Sequence, residues 1–151
     1  MYYTVEEKIL AIDKAKEIIN NRTMEVDKYT LGYNDCWALI TEYDKALRQK
    51  EFTLFDFDYR DSMDFLRKLN KLGFKTFEDL AKQSDYEIVT NTRPQYGDIA
   101  FEFLRNKIGT AMIASSGWWV STCEFNTGTV DKRKIKYKES LNILARPIKR
   151  N

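Results

Sequence analysis

The sequence predicts an α+β domain in which N-terminal helices, one of them headed by Cys36, pack on a C-terminal antiparallel sheet. Three observations lead there. The chain before Tyr86 carries apolar residues at helical spacing behind cap residues. The chain after it carries short β-branched and aromatic runs broken by Gly, Pro and Asn. No repeat, low-complexity run or long linker separates the halves, so 1–151 reads as one domain, with 1–28 as a helical extension.

The elements follow in order. Thr4-Val5-Glu6-Glu7 is a capping box, and Val5, Ile9, Ile12, Ala15 and Ile19 form a helical stripe that Asn20-Asn21 should stop. Asn34 or Asp35 caps a second helix whose start, from Ala38 to Ile40, is apolar enough for the centre of a domain. Asp61 caps a third, packed through Met63, Leu66, Leu69 and Leu72 and ended by Gly73. Thr76 caps a short fourth with Phe77, Leu80 and Ala81 inward. Strands are expected at 87–89, 99–104, 109–114, 118–123 and 142–148, joined as a meander, with turns at Arg93–Asp98, 105–107, Ser115–Gly117 and Asn126–Gly128. The aromatic stretch from Phe52 to Tyr59 is either a groove or packing for the helical half.

Composition narrows the function classes. Lys and Arg number 25 against 23 Asp and Glu, so no overall charge draws the chain to nucleic acid, and none is expected as a partner. The most basic stretch, Lys132 to Lys138, reads as a solvated hairpin or loop arm. No apolar run reaches the roughly 20 residues that span a bilayer, and acidic residues stand where a signal peptide would be basic, so a cytoplasmic protein, or one packed into a particle assembled there, is expected. With 0 His and 2 Cys the usual zinc ligand sets cannot be assembled; no metal or cofactor is expected, and Cys36 and Cys123 read as free thiols.

Cys36 is the candidate nucleophile. A thiol in the first turn of a helix lies near unpaired N–H groups that favour the thiolate. Cysteine catalysis also needs a group to take the thiol proton and return one, which imidazole does best near neutral pH, and this chain has no histidine. Asp98, Glu102 and Glu124 are the carboxylates of the sheet half, with an ordinary pKa of about 4 that suits them poorly as thiol bases; Asp98 is the one retained as a candidate. Tyr96 is a hydrogen-bond donor and a poor base. Cys36 therefore also reads as a small buried residue, and Cys123 as strand filler.

Asp35-Cys36-Trp37-Ala38-Leu39-Ile40, then Pro94-Gln95-Tyr96-Gly97-Asp98-Ile99-Ala100-Phe101, then Gly109-Thr110-Ala111-Met112-Ile113, occur in the order found in a known superfamily. Over residues 29–122 the chain resembles the NlpC-type papain-like cysteine peptidases, in which a cysteine heads a central helix and a catalytic histidine begins a strand. Here Gly109 stands at or beside that histidine's place. Leu66-Arg67-Lys68-Leu69-Asn70-Lys71-Leu72-Gly73-Phe74 and the helix after it resemble phage-associated members of this fold. The resemblance implies a catalytically inactive papain-like domain, a structural or interaction component of a phage virion, in the tail, connector or their assembly. Its partners would be other virion or assembly proteins, with oligomerisation through the particle, and Trp118-Trp119 beside a turn suits such contacts. Two alternatives stand: a cell-wall peptidase or amidase using Cys36 with a non-histidine partner, and a ligand-binding module in the old substrate groove lined by Tyr33 and Trp37.

Overall fold

A computed structural model describes residues 1–104, 107–122, 128–133 and 142–150. Four helices come first: α1 (Val5–Val26), α2 (Cys36–Arg48), α3 (Ser62–Lys71) and α4 (Phe77–Gln83). Strands β1 (Tyr86–Val89), β2 (Ile99–Leu104), β3 (Lys107–Ser115), β4 (Trp118–Ser121), β5 (Asp131–Arg133) and β6 (Asn142–Pro147) follow. The α+β class is thus as the sequence predicts.

The caps behave as their residue types demand. Thr4 accepts from the Glu7 amide at 3.1 Å while Glu7 reaches back to the Thr4 amide at 3.0 Å, the reciprocal box. Asp35, Asp61 and Thr76 each accept the amide three residues on. α1 does not stop at Asn20-Asn21. It runs on to Val26 and ends where Asp27 turns left-handed at φ 52, because Thr23 and Asn20 are used in contacts that reward continued helix.

In α3 the inward face is Phe65 and Leu69 with the Asp64 carboxylate, while Met63 and Leu72 are exposed. Of the expected stripe Leu69 is buried and Leu66 partly so, while its two ends turn outward. Asp64 accounts for it. Its carboxylate accepts the Arg60 amide at 2.9 Å and is ringed by Arg60, Arg67 and Lys68 at 3.6–3.7 Å, so an acidic side chain takes an inner position. The aromatic stretch is packing: Phe55 is enclosed, Tyr59 nearly so, and both join Trp37, Phe65, Phe77 and Phe101 in a run of edge-on and stacked rings. Of the aromatic residues of this stretch, Phe52 alone stands well out in solvent.

The sheet is antiparallel, in the order β1-β6-β2-β3-β4-β5. It is not the expected meander, because β6 returns to lie between β1 and β2. A salt bridge fastens it there: Arg146 on β6 donates Nε and Nη2 to the two oxygens of Asp98, each at 3.0 Å, just before β2. β5 was unexpected as a strand. The turn expected at 105–107, the rest of the basic stretch, Cys123, Glu124 and the Asn126-Thr127 turn fall wholly or partly outside the described residues.

The main core lies between the helices and one sheet face, with Leu39, Ile40 and Tyr43 of α2 against Ile99, Phe101, Ala111 and Ile113. A smaller cluster of Ala100, Met112, Ala114, Trp119 and Leu144 occupies the other face. Of the tryptophan pair, Trp119 is buried there and Trp118 is exposed. The far end of α2 is tied down by Arg48, which bonds Asp44 at 2.8 Å and the carbonyls of Asp85 and Ile148 at 3.0 Å.

Candidate functional site

The head of α2 is assembled from a tight loop. Gly32 is left-handed at φ 77, and its amide donates to Asp35 Oδ2 at 3.0 Å while the Ala38 amide donates to Oδ1 at 2.8 Å. The Tyr59 hydroxyl donates to the same Oδ2. Asp35 is thereby enclosed with neutral donors and makes no ion pair among the described residues. Burial pushes its carboxyl above the usual range in spite of those bonds, and the Tyr59 phenol is driven up by burial and by Asp35.

Asn34 anchors the loop from below. Its Nδ2 donates to Thr23 Oγ1 at 3.0 Å and to the Lys28 carbonyl at 2.9 Å, and its own carbonyl accepts the Thr122 hydroxyl at 2.8 Å. Gly128 closes this knot, since a Cβ there would lie 2.3 Å from Asn34 Nδ2. Helix α1, helix α2 and the sheet are thus joined around the residue that precedes Asp35.

Cys36 comes next, and alternation along β3 explains its surroundings. Ala114 exchanges its amide bond with the Asp98 carbonyl at 2.8 Å, so β3 residues of the same parity as 114 face β2. Ala111 and Ile113 therefore turn their N–H and C=O toward β4. The last described β4 pair on this side is Val120 with Ile113, so Ala111 lies past the end of the ladder. Cys36 Sγ accepts the Ala111 amide at 3.4 Å, and the Ser121 hydroxyl donates to the Ala111 carbonyl at 2.8 Å. Two side chains stand in for the missing strand.

The thiol is not the activated group that its helix position suggests. The residue is half-buried, but its sulfur is enclosed by protein; burial, and after it the Asp35 charge, push the thiol from 9.0 up to about 12. The first-turn amides of Cys36 and Trp37 pull the thiol down, but burial and the Asp35 charge outweigh them, and Asp35 takes the Ala38 amide for itself. At neutral pH Cys36 is a thiol that accepts a backbone hydrogen bond.

Asp98 is not brought to Cys36. It lies opposite Ala114, three residues along β3 from Ala111, which is about 10 Å at strand spacing. Its carboxylate points across β2 to Arg146 and also accepts the Gln95 amide at 2.7 Å. It is a structural anion, not a base for this thiol. Glu102 follows Phe101, whose ring is in the main core, so alternation puts Glu102 on the other sheet face. Tyr96 accepts from Ser115 at 3.4 Å and does not meet Cys36. Gly109 is the extra residue of a bulge: Thr110 pairs with Glu102 and Ile108 with Phe103, leaving Gly109 unopposed two residues before Ala111.

A cavity of about 80 Å³ borders the thiol, walled by Tyr29, Leu31, Asp35, Tyr59 and Ser62. On its far side Tyr33, Gly32 and the edge of Trp37 border a second space of about 120 Å³, whose charged walls Arg22, Glu42, Lys45 and Asp56 are bonded to one another. The Trp37 ring itself is core, with Nε1 on the Phe55 carbonyl at 2.7 Å. A groove of about 700 Å³ lies elsewhere, between α1 and α2, floored by Ala11, Ile18, Ala46 and Leu47. No cluster of metal-ligating side chains occurs among the described residues, and no helix there is long and apolar enough to cross a membrane. Ala111, Ser121 and Arg146 are the residues that sequence reasoning missed. Only Arg146 left a signal, as a lone charge in the apolar run Ile143-Leu144-Ala145.

No family model matches the chain, and no curated protein or solved structure matches it either.

Proposed function

We propose that this chain is a catalytically silent papain-like domain of NlpC type, serving as a structural or interaction component of a phage virion or its assembly. The motif order supports the class, and one observation carries the loss of activity. Cys36, where the nucleophile belongs, is occupied as acceptor for the Ala111 amide, with its thiol held up at about 12. A sulfur in that state supplies almost no thiolate at pH 7. The cavity beside it is about 80 Å³, well under the several hundred Å³ of ordinary ligand clefts, which disfavours the groove-binding alternative.

The chemical test is alkylation of the native protein by iodoacetamide at pH 7.5, followed by intact-mass analysis with Cys123→Ser as background. The reading expects Cys36 to label at least about 100-fold more slowly than in the urea-unfolded chain. Labelling of native Cys36 faster than the unfolded thiol would overturn it in favour of the hydrolase. The biological half is tested by whether the chain co-purifies with assembled particles at fixed stoichiometry. A chain found only free in lysate removes the virion role and leaves the silent-site reading standing.

A further inference from the structure

Lys8 is the one charged side chain on the buried face of α1, in line with Ala11, Ile12, Ala15 and Ile19, and it is 4% exposed. Its stem lies on the backbone of Gly97. A Cβ there would stand 2.4 Å from Lys8 Cδ and 2.9 Å from both Lys8 Cγ and the Tyr43 hydroxyl. Gly97 is left-handed at φ 82, so the loop before β2 presents bare backbone where the lysine crosses it. A lysine this enclosed is ordinarily paired. The Lys8 ammonium has neither a hydrogen bond nor an ion pair among the described residues.

The neighbouring acceptors are engaged elsewhere. Asp98 gives both oxygens to Arg146 and also accepts the Gln95 amide. Glu7 accepts the Thr4 amide at 3.0 Å and the Lys149 ammonium at 2.9 Å. The α1 positions three and four residues from Lys8 are Thr4, Val5, Ala11 and Ile12, none of them a carboxylate. From α2 the Tyr43 hydroxyl comes near, but it donates to the Gly97 carbonyl at 2.8 Å. From β6 comes a second cation, Arg146. Burial draws the Lys8 ammonium below the usual lysine range; the Asp98 charge opposes this and the Arg146 charge adds to it. A desolvated amine beside another cation is a lysine made nucleophilic. Its tip still meets water, for the nitrogen is unbonded and yet not sealed from solvent.

We infer that Lys8 is a covalent modification site, at which the neutral ε-amine captures a small uncharged aldehyde as an imine. Nζ adds to the carbonyl carbon, and the amine proton passes through water to the former carbonyl oxygen. Loss of one water from that carbinolamine leaves a C=N bond. Burial selects the class of compound: a residue 4% exposed admits a short carbonyl compound at its tip and refuses a bulky donor. An uncharged imine also removes the cost of an unpaired ammonium beside Arg146 and leaves the Asp98–Arg146 pair intact. The site is independent of Cys36 and of the reading built on it.

Limited treatment of the full chain with propanal and sodium cyanoborohydride, followed by peptide mass mapping, tests this. At pH 7 Lys8 should be alkylated at least about fivefold faster than the exposed Lys14 and Lys50. That lead should shrink as pH rises to 10, where exposed amines also begin to lose their protons. Lys8→Met keeps a stem over Gly97 without the charge, and should melt no more than about 5 °C below wild type at pH 7. A lead over Lys14 smaller than about fivefold at pH 7 overturns the inference, as does a lead that does not shrink between pH 7 and pH 10. A Lys8→Met variant that melts lower than that limit shows the ammonium to be held by a partner, and overturns it too.

Discussion

Asp35 and Asp98 are both enclosed, 3% and 0% exposed, one capping α2 and the other leading into β2. They are held in different ways. Asp98 has a guanidinium bonded to both oxygens, whereas Asp35 has two amides and a phenol. A buried anion with a cation is a fixed charge that both partners need. One with neutral donors can instead take up a proton and keep its place. Cys36, next to the second kind, inherits a neighbourhood that penalises negative charge.

Removing the cation-paired carboxylate should cost most. Asp98→Ala strands Arg146 in the sheet, and urea unfolding should show a loss of about 3–5 kcal/mol. A loss under about 1 kcal/mol would mean that β6 is held by its ladder alone. Asp35→Ala removes a cap and leaves the Gly32 amide and the Tyr59 hydroxyl without their acceptor, so about 2 kcal/mol is expected in the same assay. Equal losses for the two variants would erase the distinction drawn between them.

The smaller effects lie in pH dependence. The folded state keeps the Cys36 proton to about 12 while the unfolded thiol loses it from about 9.0, so the folded state binds more protons across that window. The Cys36 share of stability should therefore be lost as pH rises above 9.0, by at most about 1.4 kcal/mol per pH unit, with the buried Tyr43 and Tyr86 adding to the fall above 10.0. Cys36→Ser, which keeps an acceptor for Ala111, should stay within about 1 kcal/mol of wild type at pH 7 and lose stability less steeply than wild type just above pH 9.0. Asp35 works in the same sense at acid pH. Its raised carboxyl stabilises the fold below its unfolded pKa, and the contribution is lost as pH rises through the folded value. Measured against Asp35→Asn, the wild type should lose ground between pH 4 and pH 7; the opposite slope would show a lowered carboxyl.

What the sequence made legible was local. Thr4, Asp35, Asp61 and Thr76 each cap with an amide three residues away, and such geometry needs only the neighbouring chain. The face of α3 was misread because Asp64 takes an inner position by collecting three cations, which an apolar stripe cannot register. The sheet order and the fate of Cys36 depend on contacts 48 and 75 residues apart, Asp98 with Arg146 and Cys36 with Ala111. Nothing local announces either. Its neighbours put Cys36 at the head of a helix, and only the sheet decides whether that sulfur is reactive.

The position of β6 also sets an order of events. β1 and β2 are not neighbours; each pairs with Asn142–Pro147, which joins the sheet in its middle and not at its rim. During synthesis the helices and the β2–β3 hairpin can form as they emerge. Until residue 146 arrives, however, β1 has no ladder and Asp98 no counter-charge. A nascent chain stalled before residue 142 would expose both strands bordering that gap, making the final segment the step that commits the domain to its fold.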